Sequence, residues 1–364
     1  MLTGQRQIAY WQSREDVLRH GRPEGLVIGE SEELYVLFRH GAVKVFHHGP
    51  PAVEIRQISR GKPYQEESWD WGHLSLCYVR PGKLAVLYAE PSTEAQRFLL
   101  LFSTDFRLLK SINLGWHGWV PAGLDFAVTP DGHFVLPHDR TKEELRKLSC
   151  SGQPLLDRYD TEGRLVGSFG ISQPHDDLIE DKIFQRAVLS CHTNGDCFVV
   201  LQCPYRLLRF DPAGRLLWDR NVEASFQPRP IEIVTRMVTP ADVEQYIQLL
   251  GPMARELFGA PKEDSTRKIT KDPGKLVKDI AVGTEYLAVL VAEDQSELHS
   301  RSGRRIDLFT LDNSNRYRSF VLDYPAAFIH FSAQGHLWAL HEPTSQSTEQ
   351  VAEHPYLIEY AIEH

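Results

Sequence analysis

Acidic and imidazole side chains recur directly after short apolar segments of this sequence. Seven such residues are His40, Glu90, His138, Asp139, Glu293, His341 and Glu342. Carboxylate and imidazole groups that converge in a fold can bind a divalent metal ion, which lowers the pKa of a bound water molecule. These residues come from widely separated segments, and the sequence contains no compact ligand motif such as HExxH. We interpret them as solvated ends of structural elements and keep a divalent metal site as the alternative.

A second set of candidates consists of aromatic, histidine and aspartate residues in segments of loop composition. Its members are Trp69, Trp71, His73, Trp116, His117, Trp119, His175, Asp176 and Asp177. An exposed tryptophan lowers solubility unless it contacts a ligand, a partner or another loop. We predict that these residues form a binding surface together with His138 and Asp139. Packing of the tryptophans among the loops is the alternative interpretation.

Three cysteines and a histidine lie close together in the sequence, at Cys191, His192, Cys197 and Cys203. Their C-x5-C-x5-C spacing differs from the C-x2-C spacing of common zinc sites. We therefore expect buried free thiols here. The chain also contains no GxSxG, GxGxxG or Walker A motif, so hydrolase, dinucleotide-binding and nucleotide-hydrolysing functions lack their usual sequence support.

The composition is that of a soluble globular protein. The 364 residues are 42% hydrophobic and 24% charged, and the net charge of -9 would repel a phosphate backbone. No segment approaches the roughly 18 apolar residues of a membrane span, and the first residues lack the apolar core of a signal peptide. We expect neither a nucleic-acid nor a membrane partner. Five cysteines favour a reducing compartment, so we expect a cytoplasmic protein. Export with a signal peptide absent from this chain is the alternative.

A repeated segment determines the expected fold. Six turns are each followed by an apolar strand, and these strands end at Leu37, Leu87, Leu136, Val200, Leu290 and Leu340. The intervals between these ends are 50, 49, 64, 90 and 50 residues, so the base period is near 50. Glycines such as Gly132 in TPDGHFVL and Gly195 in TNGDCFVV permit tight hairpin turns, and Val, Leu and aromatic residues follow them.

Each repeat has the pattern of four antiparallel strands. An apolar run precedes the repeated turn, and a third strand follows that ends in an aromatic residue: Phe46, Phe102, Tyr159, Phe210, Phe309 or Tyr360. Four repeats continue through a turn into a fourth strand, as in YDTEGRLVGSF at 159–169. A single meander cannot bury both of its faces, so the copies must stack around an axis. We predict an all-β, six-bladed β-propeller of four-stranded antiparallel blades that spans residues 1–364 as a single domain.

The third repeat carries a family resemblance. Its segments PAGLDFAVTPDGHFVLPHD and LLDRYDTEGRLVGSFG resemble the NHL class of six-bladed propellers, within the wider TolB-like group. Asp139 occupies the position after the second strand where many NHL blades have an aspartate. The other repeats have Glu90, Cys203, Glu293 and Pro343 at that position, so the chain resembles a divergent member. The class includes scaffolds, lyases and hydrolases, so the resemblance implies the fold and leaves the activity open.

The last repeat ends after its third strand, YLIEYAIEH, at the C-terminus. An unpaired blade edge would be prone to aggregation, so another segment should complete the blade. The apolar N-terminal run at residues 7–11 is the only remaining candidate. We predict that it closes the ring.

Loop lengths indicate which end of the propeller is functional. The turns between the first and second strands and between the third and fourth are short throughout. The connections at the other end are long, including 58–72 and 171–184. Long loops on a rigid scaffold are where binding residues usually lie. We expect the aromatic candidates on this face, with Trp116, His117 and Trp119 beside the axis.

The longest connection, residues 223–278, is predicted to form a helical insertion between the fourth and fifth blades. Thr239 and Pro240 are typical of a helix start, and Val243, Tyr246 and Leu250 recur at helical spacing. We expect this helix to cover one sector of the loop-bearing face; docking on the edge of a blade is the alternative.

The sequence therefore predicts a scaffold, most simply a non-enzyme, that recognises a protein or peptide through its loop-bearing face and needs no cofactor. The alternative is a metal-dependent lyase or hydrolase with its site at the mouth of the axial channel. In that case the divalent metal would be held by residues after the second strands, such as His138 and Asp139.

Overall fold

A computed structural model describes residues 2–9, 23–38, 42–46, 53–57, 73–89, 96–116, 126–138, 154–171, 188–202, 205–223, 233–238, 265–270, 274–311, 317–341 and 356–362. Within these ranges the secondary structure consists of β-strands and one short 3-10 helix, Gln295–Glu297. Every strand pair in the described residues is antiparallel, and most strands pair with the next strand along the chain, as in a meander. The predicted all-β class is confirmed.

Four sheets have the same four-stranded order. The chain starts with the N-terminal strand β1 (Leu2–Ala9) and then forms these four sheets one after another. Sheet one contains β2 (Pro23–Ile28), β3 (Leu34–Phe38), β4 (Ala42–Phe46) and β5 (Val53–Gln57). Sheet two contains β6 (His73–Val79), β7 (Lys83–Ala89), β8 (Gln96–Ser103) and β9 (Leu108–Trp116). Sheet three contains β10 (Ala127–Val128), β11 (Phe134–Pro137), β12 (Pro154–Tyr159) and β13 (Leu165–Ile171). Sheet four contains β14 (Val188–Cys191), β15 (Cys197–Gln202), β16 (Tyr205–Phe210) and β17 (Leu216–Asn221).

The predicted insertion at 223–278 contains two strands of its own, and its last two residues belong to the first strand of the next sheet. Strands β18 (Ile233–Val238) and β19 (Ser265–Thr270) form an antiparallel ladder that runs from the pair Ile233–Thr270 to the pair Val238–Ser265. The sequence analysis missed this ladder, because neither segment repeats the turn-and-strand pattern of the blades. The predicted helix after Thr239 lies outside the described residues and stays a prediction.

The six remaining described strands form one seven-stranded sheet together with the N-terminal strand β1. In chain order they are β20 (Val277–Val282), β21 (Tyr286–Val291), β22 (Gly303–Thr310), β23 (Tyr317–Phe331), β24 (Leu337–His341) and β25 (Tyr356–Ile362). The sheet order is β1-β25-β24-β23-β22-β21-β20, so the first strand of the chain lies at its edge.

The pairing of β1 with β25 confirms the predicted closure of the ring by the two ends of the chain. Their ladder extends from the pair Leu2–Ile362 to the pair Ala9–Tyr356, with a register shift after Gly4. Tyr10 and Trp11, which the prediction included, lie outside the described residues.

The sheets are arranged as a propeller. The first strands of sheets one to four, together with β20 and β23, contact one another in the order β2, β6, β10, β14, β20 and β23, and β23 contacts β2 again. Apolar side chains fill the space between successive sheets. Phe38 of β3 and Trp338 of β24, for example, are both buried in the cluster that joins the last sheet to the first. The core is thus a set of interfaces between sheets, as expected for blades that stack around an axis.

Seven of the described short turns between strands share one hydrogen-bond pattern. In the turn after β10, the Thr129 amide donates to the His133 carbonyl at 2.9 Å and the Gly132 amide donates to the Thr129 carbonyl at 2.8 Å. Gly132 has a φ of 82°, a conformation that L-residues rarely adopt. Phe106 occupies the corresponding position after β8 with a φ of 64°, and its ring packs 6.3 Å from that of Tyr35. The sequence prediction of tight turns at these points is confirmed.

Candidate functional site

The ring of inner strands encloses an axial cavity of about 310 Å³. All six inner strands contribute to its wall, with apolar residues such as Leu26, Phe126 and Phe328. Its polar lining residues include Glu24, Glu30, Arg80, His192, Asp279 and His330. The Asp279 carboxylate accepts the Ile329 amide at 2.7 Å and so joins two inner strands. Of these residues, only His192 was considered from the sequence, together with the neighbouring cysteines. Glu24, Asp279 and His330 lie within apolar strands, so their convergence is visible only in the closed ring.

Two of the predicted binding residues mark the loop-bearing end of the propeller. His73 is the first residue of β6 and pairs with Ala89, the last residue of β7. Trp116 is the last residue of β9 and pairs with Gln96, the first residue of β8. Both therefore lie at the end where the long connections leave the sheets, as predicted. The sequence analysis had placed them in the loops themselves, and the structure corrects this: they are strand residues, because the ladders extend further than the apolar pattern indicated.

The other aromatic and acidic candidates lie outside the described residues. These are Trp69, Trp71, His117, Trp119, Asp139, His175, Asp176 and Asp177. The predicted binding surface therefore stays a prediction for these positions, and its described part consists of strand ends and one loop.

That loop, residues 293–302, joins β21 to β22 and is called the bridging loop below. The Arg301 guanidinium donates to the Pro23 carbonyl at 2.9 Å and to the Glu24 carboxylate at 3.1 Å. Its Cζ atom also lies 5.7 Å from the centroid of the Phe328 ring. Glu24 and Phe328 both line the axial cavity, so Arg301 attaches the loop to two strands of the cavity wall, β2 and β23.

Internal hydrogen bonds fix the bridging loop in place. The Asp294 carboxylate accepts the Ser296 amide at 2.7 Å and caps the 3-10 helix. The Ser296 hydroxyl also donates to this carboxylate, at 2.6 Å. The two bonds, first of all the one from the hydroxyl, hold the pKa of Asp294 below its usual value. The buried Lys278 ammonium donates to the carbonyls of Glu297 at 2.6 Å and Ser300 at 2.7 Å. Because charged donors form the stronger hydrogen bonds, the loop is held rigidly over β20.

The described members of the proposed metal set have other partners. The Nδ1 atom of His138 lies 2.8 Å from Oδ1 of Asp157, and an oxygen of Glu293 lies 3.4 Å from Nε of Arg304. His341 is engaged on both ring nitrogens. Within the described ranges no group of three or more metal-ligating side chains occurs. His40, Glu90, Asp139 and Glu342 lie outside those ranges.

The environment of His341 gives a testable pH dependence. Its Nδ1 donates to the Tyr324 carbonyl at 2.9 Å, and its Nε2 accepts the Tyr360 hydroxyl at 3.1 Å, which is the neutral tautomer. Burial lowers the pKa of His341 from 6.5 to about 4. The unfolded chain therefore binds a proton at this residue between pH 6.5 and about 4 while the folded chain does not, so stability falls as the pH falls through this window.

We expect the His341→Gln variant to lack this contribution. Between pH 7 and pH 4.5, the wild-type free energy of unfolding should fall by roughly 2 to 3 kcal/mol more than that of the variant. Urea unfolding at the two pH values measures the difference. An equal pH dependence in both proteins would contradict the assignment of this proton to His341.

Two buried aspartates form polar centres that the sequence analysis missed. Asp307 is fully buried and accepts the Arg305 guanidinium at 2.8 and 2.9 Å, the Ser319 hydroxyl at 2.6 Å and the Tyr205 hydroxyl at 3.1 Å. Tyr205 belongs to sheet four, so this centre connects two sheets. Asp157 in β12 likewise accepts Ser168 at 2.6 Å.

A sequence signal for these centres exists. Asp157 precedes the aromatic Tyr159 by two residues, and Asp307 precedes Phe309 by two residues, in the same strand of their repeats. Successive side chains of a β-strand point to opposite faces, so an aspartate two residues before the buried aromatic lies on the same face as that aromatic. A charge on that face is expected to have buried partners.

No helix among the described segments has the length and apolar character needed to cross a membrane. Among known proteins, no family model matches the chain, and no curated protein matches it at a significant level.

Solved structures do match. The PQQ-bound aldose sugar dehydrogenase from Streptomyces coelicolor is 11% identical, with a TM-score of 0.55 over 100% of this chain and 98% of that one. A putative oxidoreductase described as a glucose dehydrogenase, from Thermus thermophilus, is 13% identical, with a TM-score of 0.50 over 94% and 98% of the two chains. An inactive virginiamycin B lyase from Staphylococcus aureus, bound to quinupristin, is 9% identical, with a TM-score of 0.48 over 98% and 99%. At these identities the likeness concerns the fold alone: this chain shares the β-propeller fold.

Proposed function

We propose that the protein is a six-bladed β-propeller, resembling the NHL and TolB-like class, that acts as a binding scaffold. In this proposal the loop-bearing face recognises a protein or peptide and needs no cofactor. We further propose that the protein binds neither a nucleic acid nor a membrane and that it is cytoplasmic; these three points rest on composition and charge.

The blade count rests on the two halves of the long strand β23. Its first half pairs with β22 from Tyr317 to Val321 and again at Ala326, and its second half pairs with β24 from Ala326 to Phe331. One strand thus serves as the outer strand of a fifth blade and the inner strand of a sixth. The seven-stranded sheet then divides into β20 to β23 and β23 to β25 with β1. The six inner strands that line the cavity support this count.

The insertion at 223–278 belongs to the same proposal. Because Val238 pairs with Ser265, the ladder of β18 and β19 brings the two ends of the segment 239–264 together. We propose that residues 239–264 contain the predicted helix and contribute to the loop-bearing face.

The observation that carries the scaffold function is the bridging loop. At the loop-bearing end, Arg301 joins the bridging loop to Glu24 of the cavity wall, and Lys278 and Asp294 hold the loop that carries Arg301. A rigid loop offers a preorganised surface, which lowers the entropy cost of binding a partner. A catalytic metal at this mouth would instead need free ligands, and His138 and His341 have protein partners.

Binding at this face can be tested with peptides selected from a displayed library against the full chain. The Trp116→Ala variant should bind the selected peptide with a dissociation constant about tenfold higher or more, since central aromatic residues contribute most of the binding free energy of interfaces. The matched control is Lys83→Ala, at an exposed position at the start of β7 and therefore at the opposite end of sheet two. The affinity of the Lys83→Ala variant for the same peptide should differ from that of the wild-type protein by less than about twofold. Fluorescence anisotropy measures the dissociation constants, and thermal unfolding verifies that both variants fold.

Two results would contradict the scaffold proposal. The first is a lower melting temperature for Trp116→Ala with unchanged affinity per folded molecule, which would make the tryptophan a packing residue. The second is a tightly held divalent metal at one ion per chain, measured by elemental analysis of the purified protein. That result would favour the lyase or hydrolase alternative.

A further inference from the structure

Two cysteines face each other across the first hairpin of sheet four. Cys191 is the last residue of β14, Cys197 is the first residue of β15, and the two are direct partners in the antiparallel ladder. Their Sγ atoms lie 2.6 Å apart, and both residues are free thiols. The side chains thus lie in the relative position from which a disulfide bond forms, about 2.05 Å between sulfurs.

The backbone at this point also suits a disulfide. In the adjoining turn, the His192 amide donates to the Asp196 carbonyl at 2.8 Å and the Gly195 amide donates to the His192 carbonyl at 2.9 Å. Hydrogen-bonded and non-hydrogen-bonded pairs alternate along an antiparallel ladder, so the next pair, Cys191 with Cys197, is of the non-hydrogen-bonded type. Such pairs have Cα atoms about 4.5 Å apart, within the range that disulfides span. The bond needs no rearrangement of the strands.

The two thiols differ in access. Cys191 lines the axial cavity and is partly exposed, whereas Cys197 is fully buried behind it. A small reagent in the cavity therefore reaches Cys191 first. Cys77 of β6 also lines the cavity, and it has no cysteine partner in its ladder, where it pairs with Ala85.

We propose that Cys191 and Cys197 form a reversible thiol–disulfide pair that is oxidised, through the axial cavity, by small aliphatic disulfides. This site is independent of the proposed partner binding. In the first step the Cys191 thiolate attacks one sulfur of the small disulfide, forms a mixed disulfide and releases one small thiol. In the second step the Cys197 thiolate attacks Cys191 Sγ, which forms the Cys191–Cys197 bond and releases the second small thiol. Two electrons pass from the cysteine pair to the reagent, and two protons pass to the released thiols.

Burial sets the rate of this reaction. It raises the pKa of the Cys191 thiol well above its usual value, and the hydrogen bond with Cys197 acts in the same direction. Because the thiolate is the nucleophile, oxidation is expected to take on the order of hours. A cross-strand bond of this kind would clamp the hairpin whose first strand, β14, lines the cavity. In a reducing compartment, excess thiol would return the pair to its reduced state.

The test treats the folded full chain with 2-hydroxyethyl disulfide for several hours at pH 8.5. The protein is then denatured, its free thiols are alkylated and its mass is measured. The reduced chain carries five cysteines and should take five alkyl groups. The oxidised chain should take three, and dithiothreitol should restore five. Cleavage before Asp196 and after Phe198 separates Cys191, Cys197 and Cys203 from one another. Peptides that stay joined until reduction then identify the Cys191–Cys197 bond.

Matched variants distinguish the pair from general thiol reactivity. Cys77→Ser should still lose two alkylation sites on oxidation. Cys197→Ser should instead keep the reagent on Cys191 as a stable mixed disulfide, which adds one half of the reagent to the mass. The proposal is overturned if the wild-type chain keeps five alkylation sites, or if the bond found joins other cysteines. It is also overturned if Cys197→Ser, shown to be folded by circular dichroism, acquires no mixed disulfide at Cys191.

Discussion

Deleting residues 1–9 is expected to lower the melting temperature of the protein by about 10 °C. The deletion removes the ladder of seven residue pairs between β1 and β25 and exposes the edge of β25, whose Leu357 and Tyr360 are buried. At about 0.5 to 1.5 kcal/mol for each hydrogen bond, the ladder contributes roughly 4 to 10 kcal/mol. For a chain of this length that loss corresponds to a shift of about 5 to 13 °C. Circular dichroism during heating measures it.

Two controls accompany this deletion. Removal of residues 363–364, which follow β25, should leave the melting temperature unchanged. A circular permutant that joins His364 to Met1 should fold, because Leu2 already pairs with Ile362 and only a short hairpin connection is needed. Its new ends can lie between Thr104 and Asp105, two exposed turn residues. If the deletion leaves the melting temperature unchanged, β1 does not close the propeller.

The success of the closure prediction has a simple physical origin. A strand that ends a repeat must find a partner, and the sequence shows both the missing strand and a spare apolar segment. The repeat positions themselves are equally visible, because residues such as Leu87 and Val200 stand at the same place in each unit and are fully buried. Period and edge pairing are local properties of a repeat, so a single sequence reveals them.

The polar centres at Asp157 and Asp307 were not predicted, because they depend on contacts between residues that are separated in the sequence. Asp307 appears in the sequence as one charge within an apolar strand, and its partner Tyr205 lies 102 residues away in another sheet. The cavity wall likewise brings together residues that are distant in the sequence, such as Glu24 and Asp279. In the metal set that was kept as the alternative, His138 follows β11 and His341 is the last residue of β24, and each has a partner in its own sheet. The other described member, Glu293, pairs with Arg304, and the remaining four lie outside the described residues, so the metal alternative stays a prediction. Only the closed ring shows which charges meet.

The centre at Asp307 has a role that follows from its partners. It accepts bonds from Arg305 and Ser319 within its own sheet and from Tyr205 in sheet four. Apolar contacts between blades are not directional, so several registers between two sheets bury similar areas. A buried carboxylate with fixed donors penalises every register but one, because in the others it would be left without partners. We expect Asp307 to fix the position of sheet four against β22.

The Asp307→Ala variant is therefore expected to lose about 3 to 5 kcal/mol of unfolding free energy, since it leaves the buried Arg305 guanidinium without its carboxylate. Urea unfolding measures this loss. Glu285, whose exposed side chain lies in the turn between β20 and β21, provides the matched control, and Glu285→Ala should leave the unfolding midpoint unchanged. Replacing both partners, as in Arg305→Met with Asp307→Leu, should cost less than Asp307→Ala alone, because no buried charge remains. If Asp307→Ala loses less than about 1 kcal/mol, water or other groups satisfy Arg305, and the register between the two sheets is set by apolar packing alone.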